Sequence, residues 1–233
     1  MYSNEDLLGD TLTKLGIARD QIFITSKVAE ISQGYDNAIA SIDDSLTRLK
    51  TPYLDLVLVH WPVHEHFFET WKALEQLKKD GKVRSIGVAN FEMSHLELLK
   101  TQAEEMPVVN QVECHPYLSQ KPLVQFDKEN DIVTQAWSPL GHGAVLDDPM
   151  LKKMAAHHNV SVAQLVLRWH TMNGLAVVPK SANPERIKEN YQLDFDLTED
   201  EVDMINIMNR NQRTGREPEL VYELGKQYKL RKH

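Results

Sequence analysis

Five apolar residues, Leu54, Leu56, Val57, Leu58 and Val59, crowd one short stretch between Pro52 and Pro62, where the chain reads PYLDLVLVHWP. A strand with one face in water alternates apolar and polar side chains. This one does not, which predicts a strand covered on both faces, as in parallel sheets. Parallel neighbours need crossover connections, so the feature already restricts the chain to alternating strands and helices. The run ends in His60, a titratable side chain placed where the strand gives out, with Trp61 and Pro62 closing it. A core histidine that only hydrogen-bonds would account for one such strand. Several later strands end the same way, and in a β/α barrel that end carries the chemistry.

From the start of the chain, Ser3 followed by Asp6 suggests a cap, and residues 4–15 then read as a helix stopped by Gly16. Strands are expected over 22–28, 54–59, 83–88, 108–112, 132–136 and 175–178. Helices are expected over 35–49, 67–79, 94–103, 121–129, 149–158, 162–171, 185–191 and 199–208. The helix over 35–49 shows the logic: Ala38, Ile42, Leu46 and Leu49 recur at helical spacing, with acids early and Arg48 late, as the macrodipole prefers. Strand and helix alternate with short connections, which calls for a parallel sheet closed by crossover helices. The strand ends carry Lys27, His60, Asn90, Gln111, Trp137 and Lys180.

Composition narrows the partners. With 233 residues, 42% hydrophobic and 26% charged, the chain can bury a large core, and no Pro/Gly/Ser-rich linker divides it, so a single domain over 1–233 is expected. A net charge of −8 argues against a general nucleic-acid binder. No apolar run reaches membrane-spanning length, so no membrane role is expected. Cys114 is the single cysteine, which excludes an intrachain disulfide and fits a cytoplasmic setting, as does the lack of a secretory signal pattern. His64 with His66, and His157 with His158, suggest ligands, but no zinc-type Cys/His/carboxylate spacing accompanies them, and no metal is expected. Cys114 and His115 invite a thiol–imidazole reading. Adjacent residues on a strand face opposite ways, so Cys114 is read as structural.

The chain resembles the aldo-keto reductases, in particular the bacterial branch of 2,5-diketogluconate and methylglyoxal reductases. The resemblance runs from the first residues to about Arg216. It rests on Tyr-x-Asn-Glu at Tyr2, Ile-Thr-x-Lys at Lys27, Leu-Val-His-Trp-Pro at His60 and Gly-Val-x-Asn-Phe at Asn90. Further matches are Asn110-Gln111-Val-Glu, Trp137-Ser138-Pro-Leu-Gly141, and Pro-Lys180-Ser181 followed by Arg186, Glu189 and Asn190. It implies a TIM (β/α)8-type barrel and a reductase moving hydride from NADPH to a small-molecule aldehyde or ketone. Tyr2 would be the proton donor, Lys27 the ammonium that assists it, and His60 the group that orients the carbonyl. Asn90 and Gln111 would hold the nicotinamide amide, with Ala89 standing where many relatives have serine. Trp137 would stack on the nicotinamide, and Ser138, Leu140 and Gly141 would follow the pyrophosphate. Lys180, Ser181 and Arg186 would bind the adenosine 2′-phosphate, a match of cation and fork to a phosphate dianion, and Glu189 and Asn190 would touch the adenine. No GxGxxG follows a strand, so a Rossmann dinucleotide site is not supported.

Against an eight-stranded barrel the chain counts six strands, about six β/α units. A barrel unit averages about 30 residues, so the strand, helix and strand expected upstream amount to about forty. The resemblance also implies an aspartate before Tyr2 that pairs with Lys27 and is absent here. Open edges would favour self-association. Two classes of function follow: an NADPH-dependent carbonyl reductase, or an impaired or non-catalytic barrel retained to bind a cofactor or partner. Tyr2, Lys27 and His60 together favour the enzyme.

Overall fold

The computed structural model describes residues 4–64 and 66–225, so Tyr2 and Ser3 lie outside the described residues. The chain packs as two compact units, the described parts of Met1–Asn110 with Pro218–His233, and Gln111–Glu217. Strand neighbours follow chain order, β1-β2-β3-β4-β5-β6. Among the described residues no helix is long and apolar enough to cross a membrane.

The first unit runs α1 (Glu5–Leu15), β1 (Thr25–Val28), α2 (Tyr35–Leu49), β2 (Leu54–Val59), α3 (Phe67–Lys79), β3 (Val83–Ala89) and α4 (Met93–Lys100) into the start of β4 (Val109–Glu113). β1 and β2 are parallel with Thr25 opposite Leu56 and Val28 opposite Val59. β2 and β3 are parallel with Leu54 opposite Val83 and Val59 opposite Val88. All six residues of β2 are buried, as its apolar run requires. Leu56 and Leu58 pack with Ala89 and Val109 on one face of the sheet, while the alternate residues Asp55, Val57 and Val59 leave by the other.

Asp55 is the exception in that run. Only 4% exposed, it accepts hydrogen bonds from the Ile24 N–H at 2.8 Å and the Arg19 guanidinium at 2.6 Å, with Arg84 at 3.4 Å. Arg19 also donates to the Ile22 and Tyr53 carbonyls and stacks on the Tyr53 ring at 3.9 Å. These bonds explain why β1 starts at Thr25 rather than at residue 22: the Ile22 carbonyl and Ile24 N–H are taken by side chains instead of a ladder partner. α1 crosses the end of α2 so closely that a Cβ at Gly9 would stand 2.5 Å from the Arg48 carbonyl oxygen. Arg48 reaches back to Glu5 at 2.8 Å. Gly16 ends α1 in the left-handed conformation, as its position suggested, but the N-cap is Asn4, whose side chain makes no cap bond. A helix absent from the sequence reading, α10 (Pro218–Gly225), belongs to this unit. Its Tyr222 ring lies 4.8 Å from the rings of both His64 and His95.

The second unit holds the end of β4, then α5 (Lys121–Glu129), β5 (Val133–Trp137), α6 (Pro149–His157), α7 (Val162–Met172), β6 (Ala176–Val178), α8 (Pro184–Tyr191) and α9 (Glu199–Asn206). β5 and β6 are parallel, with Gln135 opposite Ala176 and Trp137 opposite Val178. Leu151, Leu165, Val166, Trp169 and Ile205 form its apolar core. Four helix starts in this unit are capped by side chains, that of α8 by Asn183. Asp148 accepts from the Met150 and Leu151 N–H groups, while Ser161 with Gln164 and Thr198 with Glu201 close capping boxes.

Asp55→Ala should leave the Arg19 charge without its buried partner and cost about 3–5 kcal/mol, measured by urea unfolding near neutral pH. A loss below about 1 kcal/mol would show that Arg19 finds solvent instead and that the pair does not anchor β2.

Candidate active site

In the first unit Lys27, His60 and Asn90, singled out from the sequence, lie at the downstream ends of β1 to β3. Lys27 is in register with Leu58, and His60 lies two residues beyond Leu58, so both side chains leave the same face of the sheet. Burial disfavours the charged form of Lys27 and lowers its ammonium pKa below the ordinary lysine value. His60 is 9% exposed and held three ways. Its N–H continues the ladder to the Val28 carbonyl at 3.2 Å, its carbonyl accepts from Asn90 Nδ2 at 2.9 Å, and its ring Nδ1 meets Glu30 Oε2 at 3.1 Å. With Nδ1 facing the carboxylate, Nε2 is the nitrogen turned away from it, and the ring cannot rotate without breaking the contact. Asn90 takes a left-handed backbone, φ 62°, immediately after β3. Asn110 donates to the Phe91 carbonyl at 3.0 Å, tying β4 to the turn after β3.

In the second unit Gln111 is buried and donates to Gln135 Oε1 at 2.6 Å. Trp137 ends β5, and a Cβ at Gly215 would lie 2.4 Å from its ring, so the segment at Gly215 presses on the indole. Ser138 and Gly141 both have positive φ, and the Gly141 N–H bonds the Ser138 carbonyl at 2.8 Å, a tight turn that also contains Leu140. Lys180, Ser181, Ala182, Asn183, Pro184 and Arg186 line an open cleft of about 480 Å3. Asn183 caps α8 by accepting the Arg186 N–H at 2.9 Å, and Ser181 Oγ accepts the Asn183 N–H at 3.1 Å. Two cations beside a helix N-terminus make a place for an anion. Glu189 is exposed and Asn190 half-buried on the later turns of α8.

Two carboxylates that the sequence reading gave no role organise these ends. Glu30, in the turn after β1, orients His60 from thirty residues away. Glu113, at the end of β4, is fully buried. Its Oε1 accepts from the Thr214 N–H at 2.6 Å, from the Thr214 hydroxyl, and from His115 Nε2 at 3.2 Å; its Oε2 accepts from the Gly215 N–H at 3.0 Å. Burial opposes ionisation of Glu113, but the bonds from His115, Thr214 and Gly215 outweigh it and hold the carboxyl down at about 2. The same carboxylate therefore seats the segment that covers Trp137. Its neighbour Cys114 points the other way, donates to the Ser119 carbonyl at 3.4 Å, and has its thiol pushed up to about 12 by burial. Such a thiol is no nucleophile.

A family model described as the aldo/keto reductase family matches residues 1–210. The chain is similar to the glyoxal reductase of Bacillus subtilis (strain 168), 46% identical over 94% of this chain and 80% of that protein. It is also similar to the methylglyoxal reductase DkgA of Yersinia pestis, 39% identical over 94% of this chain and 80% of that protein. Among solved structures, a Gox0644 mutant in complex with NADPH aligns with a TM-score of 0.89 and 42% identity, over 94% of this chain and 80% of that one.

Because the folded-state pKa of Glu113 is depressed, its contribution to stability is complete above the ordinary glutamate value of about 4.5 and is lost as pH falls toward 2. Glu113→Gln should flatten the unfolding free energy across that window relative to the parent chain, read from urea melts at several pH values. Parallel pH curves for the two chains would show that Glu113 carries no such linkage.

Proposed function

Because the chain belongs to the aldo/keto reductase family, we propose that it reduces small aldehydes and ketones, reactive dicarbonyls among them, to alcohols with NADPH. The observation that carries this reading is Lys27 and His60 standing on one sheet face at adjacent strand ends, one with its ammonium destabilised by burial, the other locked by Glu30. On this reading the parallel strands belong to a single TIM-type barrel domain, the architecture that places chemistry at these ends.

The residues present suit the cofactor. Lys180 and Arg186, neither paired with a carboxylate among the described residues, flank the capped start of α8, where a 2′-phosphate would find charge and N–H donors together. When bound, NADPH supplies the hydride. The carbonyl oxygen becomes an alkoxide as the hydride arrives at carbon, and it needs a proton and nearby positive charge. Tyr2, outside the described residues, takes the donor role from its place in the family motif. An ammonium at Lys27 lowers the pKa of a neighbouring phenol, and a lysine whose own pKa is lowered surrenders a proton more readily. His60, held through Nδ1, presents Nε2 to the substrate oxygen and sets its approach. Trp137, with Gly215 against its ring, gives the nicotinamide an aromatic wall.

Lys27→Met and Tyr2→Phe should each collapse methylglyoxal reduction, followed by NADPH oxidation, while NADPH binding stays within a few-fold. Turnover that survives both substitutions would remove these residues from the chemistry and favour a binding role for the domain.

Arg186→Ala removes a charge-assisted bond of about 1.5–3 kcal/mol, so NADPH affinity should fall about tenfold or more with NADH nearly unchanged. Equal losses for the two nucleotides in a fluorescence titration would detach the cleft from the 2′-phosphate.

A further inference from the structure

α6 ends at His157, with His158 as its C-cap, and α9 begins after Thr198 with Glu201 in its first turn. The two histidines are adjacent in sequence, but Glu201 lies more than forty residues on, and the fold of the second unit brings it to them. One oxygen of Glu201 is committed: Oε2 accepts the Thr198 N–H at 2.9 Å and the Thr198 hydroxyl at 3.0 Å, closing the capping box. The carboxylate is thereby fixed in orientation, with Oε1 turned to α6. Oε1 lies 2.8 Å from His158 Nε2 and 3.5 Å from His157 Nδ1. The three donor atoms fall within 4.8 Å of one another. The imidazole rings stand 5.0 Å apart at 74°, and the His158 ring rests against Phe195 at 5.7 Å.

We propose that His157 Nδ1, His158 Nε2 and Glu201 Oε1 form a binding site for a divalent transition-metal ion of the zinc type, completed by solvent. Two imidazoles and a carboxylate are the donors that zinc, nickel and copper accept, whereas magnesium and calcium take oxygen alone. Tetrahedral zinc ligands at about 2.0–2.2 Å from the metal are about 3.3–3.5 Å apart. The His157–Glu201 separation already matches, and the His158–Glu201 pair must open by about half an ångström. His157, whose side chain is 77% exposed, is free to swing into place, while His158 and Glu201 are largely covered at 15% and 14%. The site thus has two pre-set donors and one mobile one. The Thr198 N–H and hydroxyl both donate to Glu201 Oε2, which keeps the carboxylate oriented and leaves Oε1 as the oxygen offered to a metal. Bound metal would add His157 to the His158–Glu201 contact and turn it into a three-point clasp between the end of α6 and the start of α9.

The test is titration of the full chain with zinc chloride near neutral pH, by calorimetry and by thermal unfolding, with cobalt(II) absorption as a direct report of an N/O donor set. One saturable zinc site that raises the melting temperature is expected. His157→Ala alters an exposed side chain and should leave the metal-free melt unchanged while weakening zinc about tenfold or more. Glu201→Gln keeps an oxygen for the Thr198 box, so a similar loss of zinc affinity in a chain that melts normally without metal would separate ligation from folding. Three results would each overturn the proposal: no saturable binding in the parent chain, equal affinity in a His157→Ala/His158→Gln double variant, or magnesium binding as tightly as zinc.

Discussion

A carboxylate buried in an otherwise apolar strand leaves the chain around it little choice. Asp55 sits inside β2 with apolar residues before and after it, and its charge is tolerable there only while Arg19 and the Ile24 N–H answer it. That demand fixes the path of residues 19–24, and with it the point where β1 joins the sheet. Since β1 carries Lys27 and His60 directly follows β2, the bond at the upstream end of β2 also bears on how Lys27 and His60 stand at the downstream ends. Glu113 repeats the device in the second unit. A buried anion at the end of β4 collects N–H and hydroxyl donors from Thr214 and Gly215, a hundred residues away, because no water competes for it.

The backbone at the strand ends shows what this positioning costs. Asn90 and Ser138, the residues that follow β3 and β5, both take positive φ. Asparagine reaches that region readily, and its side chain is used at once to hold the His60 carbonyl. Serine reaches it less readily, at a cost of about 1 kcal/mol or more. Strain of this kind persists where surrounding bonds over-determine the conformation, and here both turns stand beside residues assigned to binding or chemistry.

Much of the fold was legible because periodicity is a local property. Helices at 35–49, 67–79 and 121–129 were placed to the residue, and the covered character of β2 followed from five apolar residues in a row of six. What escaped was decided by distant partners. Nothing near Ile22 says that its carbonyl will go to a guanidinium and not to a neighbouring strand. α10 had a readable start, Pro218 followed by Glu219, but its apolar face is short and finds its partners in His64 and His95, far back in the chain. The same holds at the site. Lys27, His60 and Asn90 could be named from strand ends and motifs, whereas Glu30 lies in a turn with no pattern and gains its role only when folding brings it to the His60 ring. Glu201 beside His157 and His158 is a further case, invisible to any spacing rule that looks along the sequence.

Cys114 gives the molecule an internal clock. It is the chain's single thiol, fully buried, bonded to the Ser119 carbonyl and held protonated by its surroundings. A reagent that attacks thiolates can reach it only after the core around β4 has opened. The rate of its modification is therefore a stopwatch on that opening, with one thiol and no second thiol signal to subtract. In the regime where closing outpaces labelling, the rate divided by that of an unhindered thiol is the opening equilibrium itself. Breathing of the scaffold can thus be timed in the intact, folded chain.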